Sequence, residues 1–224
     1  MPLEVIHEDN HLLVVAKPAG LLSQGDASGA PSLVDLARDW LRERYAKPGN
    51  VYVGLVHRLD RNASGVVVLA RTSKAAGRLS ACFRDDRVEK VYLAICEGRP
   101  EPASATLVHW LAAAGDAPGV THAAREPFEG ARESRLAYRL LAEAGGCSLL
   151  EVRPQTGRRH QIRAQLALGG NPLLGDVKYG ARRRLPDRRV ALHAAAIGIA
   201  HPVGGRALRF ECPPPADWPW PPPD

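Results

Sequence analysis

The chain has 224 residues, 45% of them apolar, with a formal net charge of +6 and an isoelectric point near 9.4. That length buries one good core, so a single domain over residues 1–224 is expected, closed by a Pro-rich tail at 213–224. No apolar run approaches transmembrane length and no basic leader follows Met1; Cys82, Cys96, Cys147 and Cys212 make neither a metal spacing nor a disulfide framework, so a soluble cytoplasmic protein is expected.

In chain order, residues 3–6 and 12–16 read as strands joined by a polar turn at Glu8-Asp9-Asn10, and Lys17-Pro18-Ala19-Gly20 ends the second. Ser32 reads as the N-cap of an amphipathic helix over 33–46, with Leu33, Leu36, Ala37, Trp40 and Leu41 at helical spacing and Pro48-Gly49 as its stop. Residues 51–56 and 66–70 are short Val- and Leu-rich runs, expected as two strands of a buried sheet. The piece between them, His57-Arg58-Leu59-Asp60-Arg61-Asn62-Ala63-Ser64-Gly65, is too long and too charged for a two-residue hairpin turn. It holds one carboxylate, Asp60, between Arg58 and Arg61. Flanking arginines favour the ionised acid and attract an anionic ligand, so Asp60 suits a nucleophile or base beside a phosphate backbone. The competing reading is a plain turn, since Asp, Asn, Ser and Gly are all turn formers.

A second helix is expected over 72–83, with Ala76, Leu79 and Phe83 on one face. Residues 88–98 alternate, placing Val91, Leu93 and Ile95 on one strand face and Lys90, Tyr92 and Ala94 on the other. A Tyr beside a Lys can stack on a base and hold its hydroxyl at a reacting atom; an ordinary strand Tyr is the alternative. Residues 101–132 read as loops with one strand at 104–110, and 135–141 with 148–153 read as a hairpin around Glu143-Ala144-Gly145-Gly146.

Residues 155–166, QTGRRHQIRAQL, form the second concentrated signal. Thr156 is the expected cap of a helix ending near Gly169-Gly170, with Arg158 and Arg159 in its first turn as a phosphate site. The chain's 25 arginines against 5 lysines suit such recognition, because a guanidinium pairs with two phosphate oxygens at once. A GC-rich coding bias would raise Arg too, so only clustering near motifs counts. Arg163 falls at the edge of the buried stripe of Ile162 and Leu166 and there needs an anionic partner, for which Asp60 is the candidate; a solvated basic helix face is the alternative.

Taken together, these segments resemble the RluA-type pseudouridine synthases of RNA. HRLDRNASG, KVYLA, RPQTGRRHQIR and NPLLGDVKYG match that family's successive motifs in order, as do VVAKPAGLL near the start and LHAAAIGIAHP near the end, over roughly residues 3–212. The resemblance implies an α+β fold: a mixed, largely antiparallel sheet flanked by helices and loops, with the active-site cleft across its middle. It also implies Asp60 as the catalytic aspartate, Tyr92 as the tyrosine against the uracil and Arg163 as the basic partner of the aspartate. Arg61 resembles the arginine that helps turn the target nucleotide out; Arg58, Lys90, Arg158 and Arg159 are the further RNA contacts expected. Asn62, Ala63, Gln165 and Asn171 depart from the residues many members carry, which bears on positioning and substrate choice rather than on the chemistry. Many relatives carry a small N-terminal RNA-binding module, and none is expected here.

Uridine isomerisation breaks an N-glycosidic bond, turns the uracil and joins its C5 to the same sugar carbon, so no cofactor and no metal are needed. The aspartate acts either as nucleophile at C1′ or as base at C2′. The partner expected is RNA, with ribosomal RNA favoured slightly over transfer RNA, and a monomer is the default. Two rivals are a non-catalytic RNA-binding protein, which leaves the carboxylate among arginines without a purpose, and a hydrolase. The hydrolase would be an aspartate-dependent N-glycosidase or a nuclease using His57, His160 and His193. Structural roles are the competing reading for His57, His193 and His201.

Overall fold

The computed structural model describes residues 2–46, 48–115 and 119–221. In chain order its elements are β1 Glu4–Glu8, β2 Leu12–Lys17, α1 Leu33–Arg44, β3 Gly54–Leu55, β4 Ser64–Ala70, α2 Ser73–Arg84, β5 Glu89–Glu97, β6 Ser104–Ala113, β7 Thr121–Ala124, β8 Arg132–Ala144, β9 Cys147–Pro154, α3 Gln161–Leu168, β10 Leu192–Ala200 and β11 Ala207–Glu211. They make a mixed, largely antiparallel sheet architecture with few helices. The chain divides into two compact units, one of Met1–Glu89 with Ala194–Pro214 and one of Lys90–His193 with Pro215–Asp224.

In the first unit the strand order is β1-β2-β4-β10, with β3 on β4 and β11 on β10. All seven residues of β4 are buried, which explains its continuous apolar run where a half-exposed strand would alternate. The β1–β2 turn is fixed by Asp9, whose Oδ1 accepts from the backbone N–H groups of His11 and Leu12 at 2.7 and 2.8 Å. Helix α1 starts as its sequence requires: Ser32 and Asp35 form a reciprocal capping box, and Leu33, Val34, Ala37 and Leu41 bury one face. Thr72 caps α2 by accepting from Ala75 N–H, and Ala75 and Leu79 face inward. The strand expected over 51–56 is reduced to Gly54–Leu55. Val51 and Val53 are buried all the same, so apolar content reported burial rather than ladder pairing.

The second unit carries the antiparallel order β5-β9-β8-β6-β7. The β8–β9 hairpin turns at Gly145-Gly146, both with positive φ, as the glycine pair foretells. Three expectations are corrected here. The segment 101–132 holds more than the one strand expected at 104–110: β6 runs on to Ala113 and pairs with both β8 and a further strand, β7. Helix α3 begins at Gln161, so Arg158 and Arg159 precede it and Thr156 is not its cap. The Thr156 hydroxyl is instead bound to β8, accepting from Arg135 N–H at 3.0 Å and donating to Gln161 Oε1 at 2.8 Å, while His160 enters the left-handed region at φ 50°. Nor is the Pro-rich end a mere tail: Trp218 and Trp220 pack on the core of Ile95, Cys147, Leu174 and Ala191.

Candidate active site

The loop after β3 is held on both sides of Asp60 by the segment that follows β2. Before Asp60, the Ser23 hydroxyl donates to Leu59 O at 2.7 Å and accepts from Leu59 N–H at 3.2 Å. After it, Gly20 N–H donates to Arg61 O at 2.7 Å and Arg61 Nε donates to Gly20 O at 3.0 Å. The Lys17 ammonium adds a third tie to this region, donating to Pro18 O, Leu21 O and Arg61 O at 2.9, 2.9 and 3.2 Å. Leu59 is buried, Asp60 half-buried, and Arg58 and Arg61 exposed. A backbone pinned one residue before and one residue after a carboxylate fixes that carboxylate's direction, which a turn on the surface would not need.

Lys17 is 1% exposed. Burial pushes its ammonium down to about 7, opposed by the negative charge of Asp60 and assisted by the positive charge of Arg61. The sequence reading passed over it, because Lys-Pro-Ala-Gly after a strand looks like a solvated turn. The usable signal was its place directly after the apolar run at residues 12–16.

His57 stacks on Phe83 at 4.4 Å between ring centroids, and its Nε2 accepts from Val68 N–H at 2.9 Å. These contacts tie the start of the loop to β4 and α2. His193 is buried, edge-on to Trp218, and His160 Nδ1 shares a hydrogen bond with the Tyr179 hydroxyl. All three imidazoles proposed for a nuclease are thus engaged in packing or fold-holding contacts. Among the described residues no group of three or more His, Cys, Asp or Glu is placed to hold a metal ion.

The second unit places the remaining candidates. Tyr92 lies on β5 opposite Val152 of β9, half-buried. Lys90, two residues earlier, donates to Thr156 O at 3.1 Å and so ties β5 to the segment before α3. Arg158 and Arg159 are exposed on that segment. Arg163 is 5% exposed, inside the buried face rather than at its edge. Its Nε and Nη2 make a bidentate pair with Asp176 at 2.7 and 2.8 Å, and its guanidinium lies over the Tyr179 ring at 4.9 Å. Asp176 is a partner the sequence reading missed; the signal was the acid in the NPLLGDVKYG motif itself. Tyr179 is further fixed by Thr121 N–H, which donates to its hydroxyl at 2.8 Å. Burial pushes the Tyr179 phenol up, against that hydrogen bond and the Arg163 charge.

A family model for RNA pseudouridylate synthase matches residues 11–168, a span that holds Asp60, Tyr92 and Arg163 and ends before Asp176 and Tyr179. The chain belongs to that family. Its reaction class is therefore isomerisation. Ribosomal large subunit pseudouridine synthase D of Zymomonas mobilis is 34% identical over 97% of this chain and 71% of its own length. An uncharacterized RNA pseudouridine synthase of Chloroflexus aurantiacus is 40% identical, over 90% of this chain and 62% of its own length. Among solved structures, human RNA pseudouridylate synthase domain containing 4 superposes with a TM-score of 0.78 at 25% identity, over 96% of this chain and 90% of that one. The likeness to pseudouridine synthases, RluA-type relatives included, thus extends beyond the motifs to the whole strand arrangement.

Proposed function

We propose that this chain converts specific uridines to pseudouridine in structured RNA, with Asp60 as the catalytic carboxylate. The observation that carries the reading is the double clamp on the Asp60 loop, by Ser23 at Leu59 and by Gly20 and Lys17 at Arg61. Asp60 acts at the sugar, as nucleophile on C1′ or base at C2′, and the freed uracil re-attaches through C5. Tyr92 offers the uracil a stacking face, and Arg163, paired with Asp176, is the buried basic residue assigned to the site. Arg61 helps turn the nucleotide out of its stack, a step that costs least in loops and single strands. Arg58, Lys90, Arg158 and Arg159 contact the RNA backbone. Large-subunit ribosomal RNA is the favoured substrate, because relatives such as the Zymomonas mobilis protein bear that name.

The test is nucleoside analysis of a large-subunit ribosomal RNA transcript incubated with wild type, Asp60→Asn and Asp60→Ala. The wild type should make pseudouridine; both variants should make none while still binding the RNA, since the arginines supply the affinity. Substantial turnover by Asp60→Ala would remove Asp60 from the chemistry. Release of free uracil by the wild type would mark an N-glycosidase instead.

A further inference from the structure

Residues 182–189, between the Asp176 motif and β10, read RRRLPDRR: five arginines against one aspartate. Several surface arginines elsewhere have carboxylates beside them: Arg99 with Glu143, Arg139 and Arg153 with Glu151, Arg209 with Glu89 and Glu211. In this loop Arg189 has one, Asp217. Among the described residues, the exposed side chains of Arg182, Arg184 and Arg188 have no carboxylate within ion-pair distance.

Like charges so close together repel, and a free loop would spread them. This loop is held by its backbone and its apolar residues. Glu97, at the end of β5, accepts from the N–H groups of Arg182 and Arg183 at 3.0 and 2.8 Å. Gly175 N–H donates to Arg183 O at 3.2 Å. Gly175 also lies so close to the returning chain that a Cβ there would fall 2.4 Å from Arg189 O. Ala181 and Val190 are buried at the two ends, and Leu185 packs on the Ile95 core. Asp187 and Arg188 both sit in the left-handed region, at φ 55° and 56°, which non-glycine residues seldom occupy. The backbone is anchored, and among the described residues Arg182, Arg184 and Arg188 meet no carboxylate.

We infer that this loop is a docking surface for the sugar-phosphate backbone of the substrate RNA. The inference rests on the RNA-isomerase reading and adds a binding site to it. Arg rather than Lys fits the role, because the planar fork grips two phosphate oxygens and stays charged at any working pH. Contacts to phosphate carry no sequence information, so the loop contributes affinity and register; choice of uridine belongs to the active site.

The test compares wild type with the triple variant Arg182→Gln/Arg184→Gln/Arg188→Gln and with the matching triple Arg→Lys variant. The dissociation constant for a large-subunit ribosomal RNA transcript is measured between 50 and 300 mM KCl, with kcat at saturating RNA and thermal unfolding alongside. The Gln variant should bind roughly tenfold or more weakly near physiological salt, with a slope of log affinity against log salt shallower by about 2 to 3, the expectation for three lost phosphate contacts. Its kcat and unfolding temperature should match wild type, and the Lys variant should keep the wild-type slope. Unchanged affinity and slope in the Gln variant would overturn the inference, as would a Lys variant that loses as much slope as the Gln variant. Binding decides this question even if the wild type fails to isomerise the transcript, so failure of the loop and failure of the catalytic assignment are separable.

Discussion

Lys17 shows how much one residue can carry at the site. Its ammonium has three N–H donors and meets three carbonyls, those of Pro18, Leu21 and Arg61, so every donor is used. The folded chain holds its proton only to about 7, against 10.5 for an ordinary lysine. Between those two values the unfolded chain binds more protons than the folded one, so the free energy of unfolding rises with pH there; below about 7 both states are protonated and the contribution is flat. A full proton difference corresponds to roughly 1.4 kcal/mol per pH unit. Urea titrations of wild type and Lys17→Met at pH 7.5, 8.5 and 9.5, values on the order of this window, should therefore diverge, with the wild type gaining on the variant at each step. Parallel curves would show that Lys17 keeps its proton and that burial does not perturb it.

At the scale of elements, the two glycines at Gly65 and Gly77 should behave oppositely. Gly65, the second residue of β4, has φ +120°, and a Cβ there would lie 2.3 Å from Ala194 O and 2.4 Å from Ala194 N. The obstacle is backbone on the neighbouring strand β10, which cannot swing aside as a side chain would. Gly65→Ala should therefore cost about 3 kcal/mol or more and disturb the Asp60 loop just before it. Gly77 lies inside α2 with nothing within 4 Å of its would-be Cβ. Gly77→Ala should stabilise by about 0.5–1 kcal/mol, because alanine loses less chain entropy on entering a helix. Equilibrium urea unfolding of the two variants reads both signs; a small effect of Gly65→Ala would mean that β4 and β10 can part without loss. Local signals explain which elements were legible. Helix α1 was, because its cap Ser32, its apolar spacing and its stop at Pro48-Gly49 lie within or a few residues from it. Helix α3 was misplaced because the Thr156 hydroxyl that should cap it is taken by Arg135, 21 residues away in sequence.

At the scale of the molecule, the C-terminal segment belongs with the core of the second unit. Trp218 and Trp220 cover Ile95, Cys147, Leu174 and Ala191, Trp218 meets the ring of His193 edge-on, and Asp217 pairs with Arg189. Trp218→Ala should cost about 2 kcal/mol, less than a fully buried tryptophan because the ring is only partly covered. Thermal unfolding checks this, and an unchanged midpoint would return the segment to the status of a tail. Composition hid it, since a run of prolines carries no periodicity from which packing can be read.

The sequence by itself determined the family, the identity of the candidate catalytic residues and the elements whose start, face and stop are local, because motif order and short-range spacing are properties of the chain alone. Only the tertiary structure decided what each charged group meets. Asp176 closes on Arg163, three backbone carbonyls close on Lys17, and Glu97 holds the backbone of an arginine loop more than 80 residues away. Those pairings depend on strand order and register, and a buried charge is tolerated only where distant segments bring it donors or acceptors.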